Sequence, residues 1–178
     1  MDYFIMKTDE RLCKLPQMQI PKELLTMELT KEKLKKLTTT SIIYVKENRG
    51  LSIEYADYYE KPICLIADKF QKILKKYQQD MLFHKVTLIG KETGWQKSYY
   101  LMLPPEITCA DKEKSRYDVM GNVRDFVLDV EKVGNRKIFF AMDCSRQLLV
   151  RLDVAESILR REANGIWFEP VKIAGRSR

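Results

Sequence analysis

Apolar positions along this chain keep two rhythms, every second residue or every third to fourth, and the rhythms alternate in the same order at two places. At the first place Pro62 precedes Ile63, Cys64, Leu65 and Ile66, an unbroken apolar run that predicts a buried strand. Phe70, Ile73, Leu74 and Tyr77 follow at helical spacing, with Lys69, Lys72, Lys75 and Lys76 on the remaining positions. Asp68 stands where an N-cap carboxylate would accept from the first free helix amides. Gln78, Gln79 and Asp80 end the helix, and residues 82–89 read as a strand.

The C-terminal part repeats this order. Residues 148–150 form a strand, Asp153 takes the capping position, and Val154, Ile158 and Leu159 give the apolar face with Arg160 and Arg161 outside. Asn164 and Gly165 stop the helix, and residues 166–171 form the closing strand. Asp68 and Asp153, Phe83 and Phe168, and Val86 and Val171 all stand 85 residues apart. The pattern predicts a duplicated strand-helix-strand unit, near 63–89 and again near 148–173.

The remaining elements are shorter. Residues 3–7 predict a strand, and Pro16 and Pro21 then break the chain into a surface loop. Leu25, Leu29, Leu34 and Leu37 suggest a helix over 24–37. Residues 42–45 are β-branched and aromatic, Asn48-Arg49-Gly50 reads as a turn, and 51–59 would return as the second strand of a hairpin. Further strands are expected at 98–103, stopped by Pro104-Pro105, and at 137–142, with a short strand or helix at 126–129. Residues 111–115 and 143–146 read as turns. The fold class expected is α+β, with mixed or antiparallel sheets and few helices, built on the duplicated unit. Residues 1–50 would pack as a strand, loop and helix region on a domain spanning 51–178, or the two would form one continuous domain over 1–178.

Composition adds bounds. Of 178 residues, 45% are hydrophobic and 32% charged, ordinary values for a folded chain and far from the disordered class. The net charge of +7 permits an acidic protein, a nucleic acid or a membrane surface as partner and selects none of them. Acidic residues are interspersed with the lysines; Lys31 to Lys36, the densest run, contains Glu32 and reads as a solvated helix face. No apolar run approaches the ~20 residues that span a bilayer, so no membrane role is expected. Cys13, Cys64, Cys109 and Cys144 are scattered without the short spacings of a zinc site. Scattered cysteines and an acidic-then-apolar start at Met1 to Met6, without a basic leader region, predict a cytoplasmic location.

The chemistry offered is sparse. His84, the one histidine, lies in a strand with no nucleophile-base-orienter pattern around it. Nucleophile elbows, P-loops and glycine-rich dinucleotide turns are missing from the sequence, and its seven glycines do not cluster. Glu106, Asp111, Glu113 and Lys114 are the one set that would suit a metal-dependent hydrolase. A basic nucleic-acid-binding module is the stronger alternative, with Trp95, Tyr99 and Tyr100 to stack bases, although acids dilute the basic charge. The reading favoured is a protein without catalytic residues, cofactor or metal.

The segment from Tyr99 to Val171 resembles the immunity-protein family of bacterial polymorphic-toxin systems, of the eleven and forty-three type, formerly a domain of unknown function. The resemblance rests on Tyr99-Tyr100-Leu101, then Ile107, Asp111 and Ser115, then Val127-Leu128-Asp129, Lys132 and Ile138-Phe139. It ends on Leu149-Val150, a helix, and Gly165-Ile166-Trp167-Phe168-Glu169-Pro170-Val171. Residues 65–89 are similar to the family's preceding helix-strand unit. Asp153 departs from the serine common at its position, though both residue types cap helices. The resemblance implies a cytoplasmic antidote that binds a cognate protein toxin non-covalently, with scaffold roles for Val150, Leu159, Phe168 and Pro170. Contacts should then fall on exposed aromatics and arginine, for which Tyr58, Tyr59, Trp95 and Arg146 are the candidates. Because the chain carries +7, the toxin is expected to present an acidic contact face.

Overall fold

The computed structural model describes residues 1–25, 31–37, 39–47, 52–121 and 123–174. In chain order the elements are β1 (Tyr3–Thr8), β2 (Gln17–Gln19), α1 (Lys22–Leu25), α2 (Lys31–Lys36), β3 (Ser41–Lys46), β4 (Tyr58–Tyr59), β5 (Leu65–Ala67), α3 (Asp68–Tyr77), β6 (Leu82–Gly90) and β7 (Gln96–Leu103). The second half contributes β8 (Glu106–Ile107), β9 (Arg116–Tyr117), β10 (Val123–Asp125), β11 (Val127–Leu128), α4 (Val130–Val133), β12 (Ile138–Ala141), β13 (Gln147–Arg151), α5 (Leu152–Leu159), β14 (Ile166–Pro170) and β15 (Lys172–Ile173). The class is α+β, as the alternation of strand and helix rhythms predicts.

Two mixed sheets carry the fold. One has the order β14-β1-β13-β12-β8 and the other β2-β3-β6-β7-β5-β4. Strands from before residue 50 complete both of them: β1 lies between β13 and β14, and β2 and β3 extend the second sheet beyond β6. The five-stranded sheet is covered on both faces, which is why Ile138, Phe139, Phe140 and Ala141 form an apolar run without alternation. Met6, Ile138, Phe140, Leu148 and Val150 join the larger core with Phe70 and Leu74 of α3 and Val154 and Ile158 of α5. On the opposite face Tyr3, Ile5, Phe139 and Leu149 pack with Cys109, Leu128 and Val133.

The two strand-helix-strand units share a topology. β5 and β6 both run antiparallel to β7, which lies between them, and β13 and β14 both run antiparallel to β1, which lies between them. Each helix therefore links two parallel strands across an antiparallel one. The constant offset of 85 does not hold throughout. Tyr100 pairs with Ile66 and Lys85, whereas Phe4 pairs with Val150 and Pro170, so the second unit is one residue longer between strands. Buried helix positions correspond at 84, with Phe70 and Leu74 matching Val154 and Ile158. Leu159, assigned by sequence to the apolar face, is 56% exposed as a result.

Neither aspartate caps its helix by a side-chain bond. Ala67 and Arg151 hold the N-cap positions, which leaves Asp68 as the first helical residue and Asp153 as the second. Both carboxylates still sit in the first turn, where the helix dipole favours them. Asp153 also accepts from Arg151 Nε and Nη2 at 2.7 and 2.6 Å.

The N-terminal third departs from expectation in two ways. Tyr58 and Tyr59 pair with Leu65 and Ile66 of β5, while β3 pairs with β2 and β6, so 42–45 and 51–59 make no hairpin with each other. The segment between Pro16 and Pro21 supplies the edge strand β2. Lys22–Leu25 and Lys31–Lys36 are helical within the stretch expected as one helix. Leu29 and the expected turn Asn48-Arg49-Gly50 lie outside the described residues.

Candidate partner-binding surface

Two of the four aromatic and arginine candidates are interior. Tyr58 and Tyr59 are 1% and 3% exposed, because β4 pairs with β5 and packs against β1. The Tyr58 hydroxyl accepts from Cys64 Sγ, and the Tyr59 hydroxyl accepts from the Ala56 amide at 3.0 Å. Burial raises both phenol pKa values and holds both neutral. They are core residues of the sheet and present no contact surface.

Trp95 is half-buried and works as a clasp. Its indole Nε1 donates to Glu47 Oε1 at 2.7 Å, and its ring meets Tyr55 edge-on at 4.7 Å. Gly90 lies against the indole so closely that a Cβ there would stand 2.3 Å from Nε1. Glu47 also accepts from the Thr93 hydroxyl at 2.6 Å and from the Thr93 and Glu92 amides at 2.9 and 2.8 Å. These bonds, the Thr93 hydroxyl first, pull the Glu47 carboxyl down from 4.5 to about 2. A depressed carboxyl adds stability that is complete above pH 4.5 and lost as pH falls toward 2. Glu47→Gln should therefore lower the thermal midpoint at pH 7, with the gap to wild type closing between pH 4.5 and 2. A midpoint difference that stays constant down to pH 2 would show that the charge is not what holds the clasp.

Arg146 is exposed on the turn between β12 and β13, where Ser145 and Arg146 adopt φ of 51° and 55°. Its guanidinium lies 4.2 Å from the centre of the Phe140 ring and donates to Glu106 Oε1 from Nε at 3.0 Å. That contact occupies Glu106, the first member of the set considered for a metal-dependent hydrolase. Asp111 accepts from the Glu113 and Lys114 amides at 3.0 and 3.1 Å and serves its own turn. No group of three or more potential metal-ligating side chains comes together among the described residues.

The other candidate chemistry is equally engaged. His84 faces the interior, with Nε2 2.8 Å from Ser41 Oγ, and desolvation lowers its pKa. Burial pushes the Cys64 and Cys109 thiols up to about 12 and the Cys144 thiol to about 11. All three stay protonated and unreactive at neutral pH.

The structure adds two surfaces that the sequence reading did not single out. The first is the solvent side of β2-β3-β6-β7. Gln19, Tyr44, Ile89 and Gln96 form one cross-strand row, and Ile42, Thr87 and Ser98 form the next. Ile42 and Tyr44 are 46% and 47% exposed there. The β-branched and aromatic content of 42–45 marked a strand, but only the pairing with β6 and β7 shows which alternate residues face water. The second surface is the tip of the β9-β10 hairpin. Asp118 accepts from the Met120 amide with its side chain and from the Gly121 amide with its carbonyl, and Gly121 turns at φ +82°. Val119 and Met120, placed between those two turn residues, have nothing to pack on and are almost fully exposed. An apolar pair enclosed by Asp and Gly is the signal that would have found them.

By fold and surface this is an α+β protein of two mixed sheets. Its candidate catalytic groups are engaged locally, and its exposed apolar residues include Ile42 and Tyr44 on a sheet face and Val119 and Met120 on a hairpin tip, with Leu15, Leu25, Met142, Leu152, Leu159 and Trp167 elsewhere. A family model described as the immunity protein family (Imm11) matches residues 5–173, and the chain belongs to that family. Membership puts it in the class of toxin-neutralising immunity proteins. No curated protein matches the sequence. No helix among the described residues is long and apolar enough to cross a membrane.

Proposed function

We propose that this protein binds a cognate bacterial toxin in the cytoplasm and neutralises it by non-covalent contact, with no catalysis of its own. The family match over residues 5–173 carries this reading. The engagement of His84 with Ser41, of Glu106 with Arg146 and of Asp111 with its own turn supports it, since none of these groups is left aimed at a substrate. The net charge of +7 supports a toxin with an acidic contact face.

The test is co-expression with candidate toxin domains, taken from the C-terminal ends of any large secreted proteins encoded beside this chain's gene. Cells should grow only when both proteins are made, and the two should co-purify as a stoichiometric complex whose affinity falls with added salt. Rescue of growth without a complex would overturn the binding reading, because protection would then come from turnover of the toxin or its product.

A further inference from the structure

We propose that the solvent face of β2-β3-β6-β7 is the docking surface for the toxin, and that it takes a patch apolar at its centre and carboxylate-bearing around it. The assignment rests on the toxin-binding reading above and specifies where that binding occurs.

Charge and exposed apolar surface coincide on this face. Ile42 and Tyr44 lie on adjacent rows of one strand, each nearly half exposed. Lys46 follows Tyr44 on the same face, and Lys85, across from Tyr100, stands on it beside Thr87. Both lysines are exposed and have no carboxylate partner among the described residues. Lys7, Lys69, Lys172 and Arg146 are held by Glu169, Asp57, Asp125 and Glu106, while Lys72, Lys76, Lys112 and Arg124 are exposed like Lys46 and Lys85, so it is the combination with Ile42 and Tyr44 that marks this face. The cross-strand rows of this face contain glutamine, serine and threonine but no aspartate or glutamate. Glu47, at the end of β3, has its carboxylate enclosed by Thr93, Glu92 and Trp95.

Each feature has a consequence for binding. A face without acids repels no incoming carboxylate, and its two unpaired ammonium groups attract one. Side chains on a paired sheet are already ordered, so docking loses little further conformational entropy. Tyrosine at the centre of an interface is a frequent energetic anchor. A nucleic acid is disfavoured on the same face, because two lysines are few for a phosphate track and Ile42 occupies the middle.

The experiment is titration calorimetry of the full chain with the purified toxin domain that it protects against in the co-expression test. Tyr44→Glu combined with Lys85→Glu should weaken binding on the order of 100-fold. Lys46→Glu combined with Lys85→Glu leaves all apolar packing in place; it should weaken binding about tenfold or more and flatten its salt dependence. Val119→Ser combined with Met120→Ser, at the hairpin tip, should bind within about threefold of wild type. Circular dichroism and thermal midpoints confirm that each variant is folded. Retained affinity in the lysine variant, or its loss in the hairpin variant, would overturn the assignment while leaving toxin binding intact. Wild-type chain that does not bind the domain would remove the toxin-binding reading and this surface with it. A 20-nucleotide oligouridylate bound by wild type and released by the lysine variant would replace the protein partner with a nucleic acid.

Discussion

Phe139→Ala should lower the free energy of unfolding by about 3–5 kcal/mol, the range for truncating a fully buried phenylalanine. Phe139 is 0% exposed in the centre of β12, on the face of the five-stranded sheet that packs with Cys109, Leu128 and Val133. Its ring lies 5.7 Å from that of Tyr3, whose hydroxyl donates to the Arg136 carbonyl at 2.9 Å. Truncation therefore opens a cavity and unseats a buried tyrosine on the neighbouring hydrogen-bonded layer. Collapse into the space is hindered because β12 and β13 are fixed by the larger core on their other face. Urea denaturation of both proteins measures the change. A loss below about 1 kcal/mol would mean that the smaller cluster contributes little to the fold.

Gly165→Ala should cost about 3 kcal/mol, combining two penalties. The backbone there has φ +67°, where a Cβ costs roughly 1–2 kcal/mol. That Cβ would also stand 2.5 Å from Leu12 Cδ1, 2.8 Å from Ala56 Cβ and 3.0 Å from Ala56 Cα. Leu12 is a side-chain tip and can swing aside, but Ala56 is backbone. Its carbonyl is fixed by the Tyr99 hydroxyl at 2.9 Å, and the next residue by the Asp57–Asn164 amide contact at 2.8 Å. Overpacking against such a neighbour costs roughly 1–3 kcal/mol more. Gly94→Ala, at φ +73° with nothing within 4 Å, is the control for the positive-φ penalty. Equal losses at both positions would show that the close approach to Ala56 is harmless.

Gly165 illustrates what the sequence reveals and what it does not. The left-handed backbone at Gly165 was readable from Asn164-Gly165, because it is a local property, but the helix expected to stop there ends earlier, at Leu159, with Arg160 as its C-cap and a left-handed residue at Glu162. The contact with Ala56 was not readable, since it joins residues that only the tertiary fold brings together. The same division runs through the chain. Residues 82–89, 98–103 and 137–142 announced strands by local pattern, yet the parallel pairing of β3 with β6 leaves no trace in either segment. Two-residue strands such as β8 and β15 are too short to show any period. Among the contact candidates, Tyr58 and Tyr59 have the composition of an interface and the location of a core, and composition cannot separate those. Ile42 and Tyr44 were seen as strand residues; their exposure follows from which face of the sheet the helices leave open.

The position of β1 bears on how the chain folds. Tyr3, Phe4 and Ile5 find their partners in residues 149–151 and their other neighbours in 166–170. At about 5–20 residues per second of synthesis, β1 waits roughly ten seconds or longer for β14. The five-stranded sheet can close around β1 only once β14 has been made. A message cut short before the codons for 166–170 would leave β1 without its partner on that side and its apolar residues open to chaperones and proteases.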